Sequence, residues 1–273
     1  MAEVYLARDF ANVDGADGVQ KFTQCLQLMA SLEFFQSYKQ TTFDWLQLFE
    51  GATVLEVGCG MGADAIALAR HVGSTGKVVA IDRSQAILNH AIVHATGLNL
   101  PLEFVSADAQ SLPFADNTFD RVRVDRTLQH IADPQKAIDE IARVLRPGGY
   151  LVAMEPDWET FIVESANNLL TRKLLNFWCD SFPTLWIGRR LLKYFRRAGL
   201  INMQIRPETL IVNELKLADQ IFDLVQTAHG AVAAGIVSPS SAQDWLQELQ
   251  QLDQAEEFFC SFTGFIVRGE KRG

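Results

Sequence analysis

The 273-residue sequence has few cysteines and no long apolar run. The four cysteines contain no Cys-x-x-Cys pair, and they are Cys25, Cys59, Cys179 and Cys260. This scatter predicts neither a disulfide framework nor a zinc site, so we expect no metal. No apolar stretch approaches the roughly 20 residues that a membrane-spanning helix needs. The first residues, MAEVYLARDFANVDGADG, carry early acids and no apolar segment typical of a signal peptide. We therefore expect a cytoplasmic protein.

An excess of positive charge is also missing. The chain has 24 Lys and Arg against 33 Asp and Glu, for a net charge of −9. Such a surface repels phosphate backbones, which argues against nucleic acid as a partner. Hydrophobic residues make up 48% and charged residues 21%, as in ordinary globular proteins. We expect a small-molecule partner, no integral membrane segment, and a monomer or homodimer.

What the sequence does contain is an alternation of apolar segments with helical ones. Short β-branched segments predict strands at Thr53–Val57, Val78–Ile81, Leu102–Val105, Phe119–Val124 and Tyr150–Met154. Helical patterns of about 10–15 residues between strands are typical of βαβ units and a parallel sheet. Two later apolar segments, Leu200–Ile205 and Phe258–Val267, predict an antiparallel pair. The prediction is an α/β fold with a doubly wound, Rossmann-like, mostly parallel seven-stranded sheet, an antiparallel C-terminal edge and a helical cap.

These patterns also predict how the chain is divided. We expect one domain over residues 1–273. Residues 1–50 would form N-terminal helices and residues 51–157 the ligand-binding core. Residues 158–199 would be an inserted helical cap, and residues 200–273 would supply the strands and helices that complete the sheet. Ligands of such sheets bind at the carboxyl ends of the strands, so residues just after each strand are the candidate site.

A glycine-rich loop follows the first strand, in the order Glu56-Val57-Gly58-Cys59-Gly60-Met61-Gly62. Glycines there permit positive φ and a close ligand approach. The helix that follows offers free N–H groups at its positive end. The spacing suits S-adenosylmethionine (SAM), but Gly58, Gly60 and Ala63 also satisfy the dinucleotide pattern GxGxx(G/A).

Three acids at or near the strand ends bear on that choice. Asp82 ends the second strand, about 20 residues after the loop, where a carboxylate can accept ribose hydroxyls of SAM or of NAD. Asp108 follows the third strand and is placed to reach an adenine amino group. Glu56 lies within the end of the first strand, where a buried acid is costly without a cation or donors. SAM carries a cationic amino group, whereas Glu56 would repel a pyrophosphate.

Several motifs resemble one family in order along the chain. VLEVGCGMG, VVAIDRS, SADAQSLPFADNTFDRV and ARVLRPGGYLVAMEPDW look like successive motifs of the class I SAM-dependent methyltransferases. They resemble most the branch that contains the ubiquinone and menaquinone C-methyltransferases. The resemblance is strong over Val54–Asp157 and weaker toward the C-terminus. It implies a SAM-dependent methyltransferase that acts on a small molecule.

The resemblance implies which residues hold the methionyl part of SAM. Glu56 and the loop glycines Gly58, Gly60 and Gly62 would contact it. Asp125, just after the fourth strand, is where the family brings main-chain groups near the methionyl amine. The other interpretation of Asp125 is an ion pair with a neighbouring arginine.

The resemblance also implies the nucleoside contacts. Asp82 would bind the ribose, and Arg83 would lie along the adenine. Asp108 and Ala109 would contact the edge of the base. Arg83 has a plainer interpretation as a solvated residue at a helix start.

Methyl transfer needs an aligned acceptor and, for an acidic or amine acceptor, a base. His130 is the first candidate base, although relatives often carry His-His where this chain has Gln129-His130. Glu155, at the end of the fifth strand, is the second candidate and could also orient the acceptor. Each has an alternative role in local hydrogen bonding that shapes the site.

Aromatic residues predict the chemistry of the acceptor. They are Phe34, Phe35, Tyr38, Phe177, Trp178, Phe182 and Trp186, with Trp158 beside the fifth strand. They could form the roof of an apolar pocket, although such stripes also form ordinary core. A roof would favour a flat or lipophilic acceptor of quinone, polyketide or terpenoid type.

Two other functions are compatible with parts of this pattern. A SAM-fold protein that binds the cofactor without methyl transfer would keep the same motifs. An NAD(P)-dependent oxidoreductase would share the glycine loop, but the chain has no Tyr-x-x-x-Lys pair and the role of Asp108 would be unexplained.

Overall fold

The computed structural model describes Asp14 and residues 19–273. The expectation about a signal peptide concerns residues outside this part. Two helices come first, α1 (Val19–Ser31) and α2 (Glu33–Leu46). The strands are β1 (Thr53–Val57), β2 (Lys77–Asp82), β3 (Leu102–Ser106), β4 (Phe119–Asp125), β5 (Leu145–Val163), β6 (Leu200–Val212) and β7 (Cys260–Lys271). The later helices are α3 (Ala63–Val72), α4 (Gln85–Ala95), α5 (Pro134–Val144), α6 (Asn168–Cys179), α7 (Ile187–Arg197), α8 (Leu215–Phe222), α9 (Leu224–Ala233) and α10 (Pro239–Gln254).

The seven strands form one sheet in the order β3-β2-β1-β4-β5-β7-β6. β1 to β5 run parallel, and β7 is antiparallel to both β5 and β6. The predicted doubly wound sheet with an antiparallel C-terminal edge is confirmed. Strand order reverses between β1 and β4, so the carboxyl ends of these strands open a crevice for a ligand.

Local capping explains where two of the helices begin. The Ser84 hydroxyl accepts a hydrogen bond from the N–H of Ile87 at the start of α4. The Asp133 carboxylate accepts one from the N–H of Lys136, and Pro134 occupies the first turn of α5. These contacts satisfy N–H groups that would otherwise lack partners.

The cap differs from the expected residues 158–199. β5 continues to Val163, beyond the predicted end at Met154, and α7 packs on the sheet through Ile187, Leu191 and Phe195. These three are fully buried because their i, i+4, i+8 spacing forms one apolar face. Helices α6 and α8 to α10 pack against one another and are called the cap. No helix in the described ranges is long and apolar enough to cross a membrane.

Candidate functional site

A cavity of about 650 Å³ lies at the carboxyl ends of the parallel strands. Its walls come from the glycine loop, from the ends of β2, β3 and β4, from α1, and from aromatic residues of the cap and β7. Of the residues predicted from sequence, the cavity brings together Glu56, Gly58, Gly60, Asp82, Arg83, Asp108, Ala109, Asp125 and His130. Gly62 and Glu155 do not line it.

The glycine loop has the backbone that only glycine adopts without strain. Gly58 and Gly60 have φ of +74° and +51°. A Cβ on Gly58 would lie 2.0 Å from the Thr127 hydroxyl oxygen, so this glycine is also needed for space. Gly62 has φ of +81° at the start of α3, and a Cβ there would lie 3.0 Å from both Ala91 and Phe104. Gly62 therefore permits close packing between α3, α4 and β3.

Asp82 connects the glycine loop to helix α4. Its Oδ2 accepts a hydrogen bond from the N–H of Gly60 at 3.0 Å, and Oδ1 accepts one from the N–H of Ser84 at 3.0 Å. Burial raises the pKa of this carboxyl above its ordinary value. Each carboxylate oxygen can accept a second hydrogen bond, so Asp82 retains capacity for ribose hydroxyls.

The adenine end of the cavity is more open. Asp108 is exposed, and its Oδ1 accepts the N–H of Gln110 at 2.8 Å, which fixes the turn after β3. Ala109 is buried beside it. Arg83 is exposed at the cavity edge, which agrees with both interpretations of this residue.

Asp14 lines the cavity without having been predicted. Its carboxylate accepts hydrogen bonds from the Ser84 hydroxyl at 2.5 Å and from the N–H groups of Gln85 and Ala86 at 2.9 and 3.2 Å. These contacts and the nearby Arg83 lower the pKa of Asp14, the Ser84 hydrogen bond being the largest cause. No strand or helix pattern marks this position in the sequence.

A fully buried arginine, Arg123 on β4, supplies the cation that Glu56 needs. Its Nη1 lies 2.5 Å from Glu56 Oε1 and 3.2 Å from Asp64 Oδ2, and its Nη2 lies 3.0 Å from Asp125 Oδ2. Nε donates to the Thr42 hydroxyl at 2.8 Å. In the β1–β4 register Glu56 is directly paired with Arg123. The register of the two strands brings these residues together, and no local signal in the sequence marks the contact.

Asp125 belongs to the same buried cluster. Besides Arg123, it accepts the Tyr38 hydroxyl at 3.0 Å, while Lys39 pairs with Asp64 at 2.7 Å. The alternative interpretation of Asp125, an ion pair with a neighbouring arginine, is what the structure shows. Asp125 also lines the cavity, so it still stands beside the expected position of the methionyl amine.

The environment of Glu56 distinguishes SAM from a dinucleotide as the cofactor. Its second oxygen, Oε2, is buried and has no hydrogen-bond partner among the described residues. Burial raises the pKa of Glu56 to about 8, although Arg123 opposes this. An unpaired buried acceptor on the cavity wall fits an ammonium group, which has N–H donors and positive charge. It does not fit a pyrophosphate.

We expect binding of S-adenosylhomocysteine at pH 7 to be accompanied by proton release from Glu56. Burial holds the pKa of this carboxyl above its ordinary value, and the incoming ammonium stabilises its ionised form. Calorimetry in two buffers of different ionisation enthalpy measures this. Glu56→Gln is expected to abolish the release and weaken binding, whereas Asp108→Asn, at an exposed carboxylate, should leave the release unchanged. Binding without proton exchange would contradict this assignment.

His130 lies in a short 3₁₀ turn, Leu128–His130, against the ring of Phe182. Burial, with a smaller effect of Arg126, lowers its pKa to about 4. The imidazole is therefore neutral at pH 7 but holds an abstracted proton poorly. Its position on the cavity wall agrees with the prediction, whereas its pKa disfavours proton abstraction.

Glu155, the second candidate base, lies outside the cavity and hydrogen-bonds to the turn after β4. Its Oε1 accepts the N–H groups of Thr127 and Leu128 at 2.8 and 2.6 Å, and Oε2 accepts that of Gln129 at 3.3 Å. The side chain is fully buried outside the cavity, and burial raises its pKa to about 8. Glu155 holds the turn that carries His130, which is the alternative role considered from the sequence.

Some of the predicted aromatic residues line the cavity, and others pack only in the hydrophobic core. The cavity touches Phe35, Trp158, Trp178, Phe182, Phe222 and Phe262. Trp158 stacks on Phe182 with ring centroids 5.0 Å apart and meets Trp178 edge-on at 4.7 Å. Gln129 fixes Trp158, because its Oε1 accepts the indole N–H at 2.7 Å. Gln129 therefore orients an aromatic wall of the cavity. Phe34, Tyr38, Phe177 and Trp186 do not line the cavity.

Comparison with known proteins agrees with this site. A family model described as a methyltransferase domain matches residues 48–199, more than half of the chain. An uncharacterised 37.1 kDa protein of a Streptomyces fradiae transposon is 34% identical over 244 residues, 89% of this chain and 69% of that protein. A demethylmenaquinone methyltransferase of Bacillus cereus is 28% identical over 220 residues, covering 74% of this chain and 93% of that one.

Among solved structures, a putative methyltransferase from Bacillus halodurans shares the fold. Its TM-score is 0.61 at 21% identity, and the match covers 87% of this chain and 100% of that one. The chain belongs to the class I SAM-dependent methyltransferases. It is a methyltransferase enzyme that uses SAM as its methyl donor, which excludes the oxidoreductase interpretation.

Proposed function

We propose that this methyltransferase acts on a small, flat, apolar acceptor of quinone, polyketide or terpenoid type. The observation that carries the proposal is the aromatic end of the cavity, where Trp158, Trp178 and Phe182 pack against one another. Flat aromatic walls favour stacking with a planar ligand over solvation of a small polar one. The name of the Bacillus cereus relative, which specifies demethylmenaquinone, supports the same class.

In this proposal the two ends of the cavity have separate tasks. Glu56, Gly58, Gly60 and Asp125 contact the methionyl part of the cofactor. The nucleoside is held by a second group, Asp82, Arg83, Asp108 and Ala109. The bound cofactor supplies a methyl group on a sulfonium, and the chain aligns the acceptor and excludes water.

Radiolabelled methyl transfer to a panel of acceptors tests the proposal. We expect transfer to reduced naphthoquinones and not to ethanolamine or other small polar amines. Phe182→Ala removes a stacking surface, which is expected to raise the KM for the apolar acceptor by about 10- to 100-fold. The affinity for S-adenosylhomocysteine should stay within about twofold, because Phe182 lies at the acceptor end.

Trp186→Ala is the matched control. Trp186 is an aromatic residue of the same segment that does not line the cavity, so its loss should leave the KM unchanged. Preferred transfer to polar amines, or equal effects of the two substitutions, would contradict an apolar acceptor.

A further inference from the structure

Arg126 occupies a strained position between the two ends of the cavity. It follows Asp125 directly after β4 and has φ of +50°, in the left-handed region that arginine seldom adopts. Its N–H donates to the Met154 carbonyl at 2.8 Å, which anchors this backbone to β5. The side chain is 17% exposed and lines the cavity. Strain of this kind is retained where surrounding structure holds a side chain for a task.

The guanidinium has far fewer partners than its donors require. Nη1 donates to the Met29 sulfur at 2.8 Å, and the group lies over the Phe35 ring at 4.7 Å. Nε is buried with no hydrogen-bond partner in the described part of the chain, and it stands 3.7 Å from Asp125 Oδ1. That carboxylate is already held by Arg123 and Tyr38. A largely buried cation with five donors, an unpartnered Nε and a shared counter-ion is incompletely compensated.

The side chain of Arg126 lies against apolar residues of the cavity wall. Lys39, another cation of the cavity wall, pairs with Asp64 at the start of α3 and lies 3.8 Å from Asp125 Oδ2. Arg126 instead meets Phe35 and Met29 on the cavity wall. Its charge is also one cause of the lowered pKa of His130, which stands beside Phe182.

We propose that Arg126 binds an ionised oxygen of the acceptor, and that the acceptor is a phenol, enol or hydroxyquinone that enters the cavity as an anion. This inference rests on the proposed apolar acceptor and narrows it to an acidic hydroxyl compound. A buried guanidinium selects the anionic form, because ionic hydrogen bonds are stronger than neutral ones at a site shielded from water.

An acceptor that arrives ionised needs no base from Glu155, Asp125 or His130. Glu155 lies outside the cavity, Asp125 is engaged in its ion pair, and His130 has a low pKa. The acceptor loses its proton to solvent before binding. An electron pair of the anion, on the oxygen or on a carbon conjugated with it, then forms the bond to the methyl carbon.

As that bond forms, the carbon–sulfur bond breaks and its electron pair stays on sulfur. An anion and a sulfonium thereby become a neutral methylated product and a neutral thioether. The product no longer carries the charge that Arg126 binds, which favours its release.

Two probes of nearly equal shape test this charge recognition. 2-Hydroxy-1,4-naphthoquinone is an anion at neutral pH, and 2-methoxy-1,4-naphthoquinone is its neutral methyl ether. Calorimetry at pH 7 with saturating S-adenosylhomocysteine is expected to show that the wild-type protein binds the hydroxy compound at least about tenfold tighter, the range of a charged hydrogen bond. Arg126→Gln should remove this preference, and Arg126→Lys should keep part of it.

Arg190→Gln is the matched control. Arg190 lies over the Trp186 ring at 4.6 Å outside the cavity, so its loss removes one charge without touching the site. The preference should be unchanged. If Arg126→Gln fails to fold, the inference is still tested by two measurements. These are the preference of the wild-type protein for the hydroxy compound over its methyl ether, and the partial preference expected of Arg126→Lys.

The outcomes separate this inference from the proposed function. Equal binding of both probes by the wild type, or an unchanged ratio in Arg126→Gln, overturns the inference and leaves the apolar acceptor standing. Binding of neither probe contradicts the apolar acceptor itself. Weaker binding of S-adenosylhomocysteine with an unchanged probe ratio would assign Arg126 to the cofactor carboxylate and overturn the inference.

Discussion

Arg123→Met is expected to lower the free energy of unfolding of the ligand-free protein by about 3–5 kcal/mol, the usual cost of breaking a buried ion pair by removing one partner. Arg123 is fully buried, and its loss leaves the carboxylates of Glu56 and Asp125 without their main cation. Methionine fills much of the volume of the arginine side chain. The loss of unfolding free energy therefore measures the missing charge more than a packing defect. Urea unfolding followed by circular dichroism measures it.

The deficit should grow as pH rises above about 8, where Glu56 ionises in the wild-type protein but not in the variant. Burial already raises the folded-state pKa of Glu56 to about 8, and removing Arg123 raises it further. A group whose folded pKa is raised contributes stability at low pH and loses it as pH rises through that pKa.

Lys77→Met is the control, since the side chains of Lys77 and Glu103 are each 55% exposed and their ion pair should contribute about 1 kcal/mol or less. Similar losses in the two variants would show that the buried cluster is not stabilised by Arg123.

Gly58→Ala is expected to reduce the affinity for S-adenosylhomocysteine by at least about 100-fold and to destabilise the fold. The backbone at +74° costs a non-glycine residue about 1–2 kcal/mol. The new Cβ would also lie 2.0 Å from the Thr127 hydroxyl oxygen and 2.5 Å from its methyl carbon. Either the glycine loop or the turn after β4 must move, and both line the cofactor cavity.

Gly97→Ala separates the two causes. Gly97 has φ of +79°, but a Cβ there meets nothing within 4 Å, so only the backbone cost applies. The double variant Gly58→Ala with Thr127→Gly removes the steric conflict and should recover part of the affinity, as a double-mutant cycle would show. No recovery, or equal effects of the two glycine substitutions on stability, would exclude the contact with Thr127 as the reason for this glycine.

Much of the fold could be predicted because its signals are local. The strand segments, the serine cap of α4 and the proline at the start of α5 depend on residues within a few positions of one another. The glycine loop and Asp82 could also be located, since each follows a buried strand whose carboxyl end must face the crevice. The boundary of the cap could not be predicted, because the sequence of α7 is rich in basic residues typical of an exposed helix. Only its packing against the sheet shows that Ile187, Leu191 and Phe195 are buried.

The roles of Arg123 and Glu155 could not be inferred in the same way. Arg123 alternates with apolar residues on β4, a pattern that suits a solvent-facing side chain as well as a buried one. Its partner Glu56 is 67 residues away, and they meet through the register of β1 against β4. Glu155 ends a strand as a catalytic acid would, yet the turn after β4 folds back and donates its N–H groups to it.

The succession of strands along the chain, the glycine loop and the acids at the strand ends follow from the sequence alone. They do so because periodicity and turn chemistry act between near neighbours. The partners of those acids are settled only by the tertiary structure. A buried charge interacts with whichever strand and helix pack against it, and that proximity depends on sheet register and chain crossing rather than on distance along the chain.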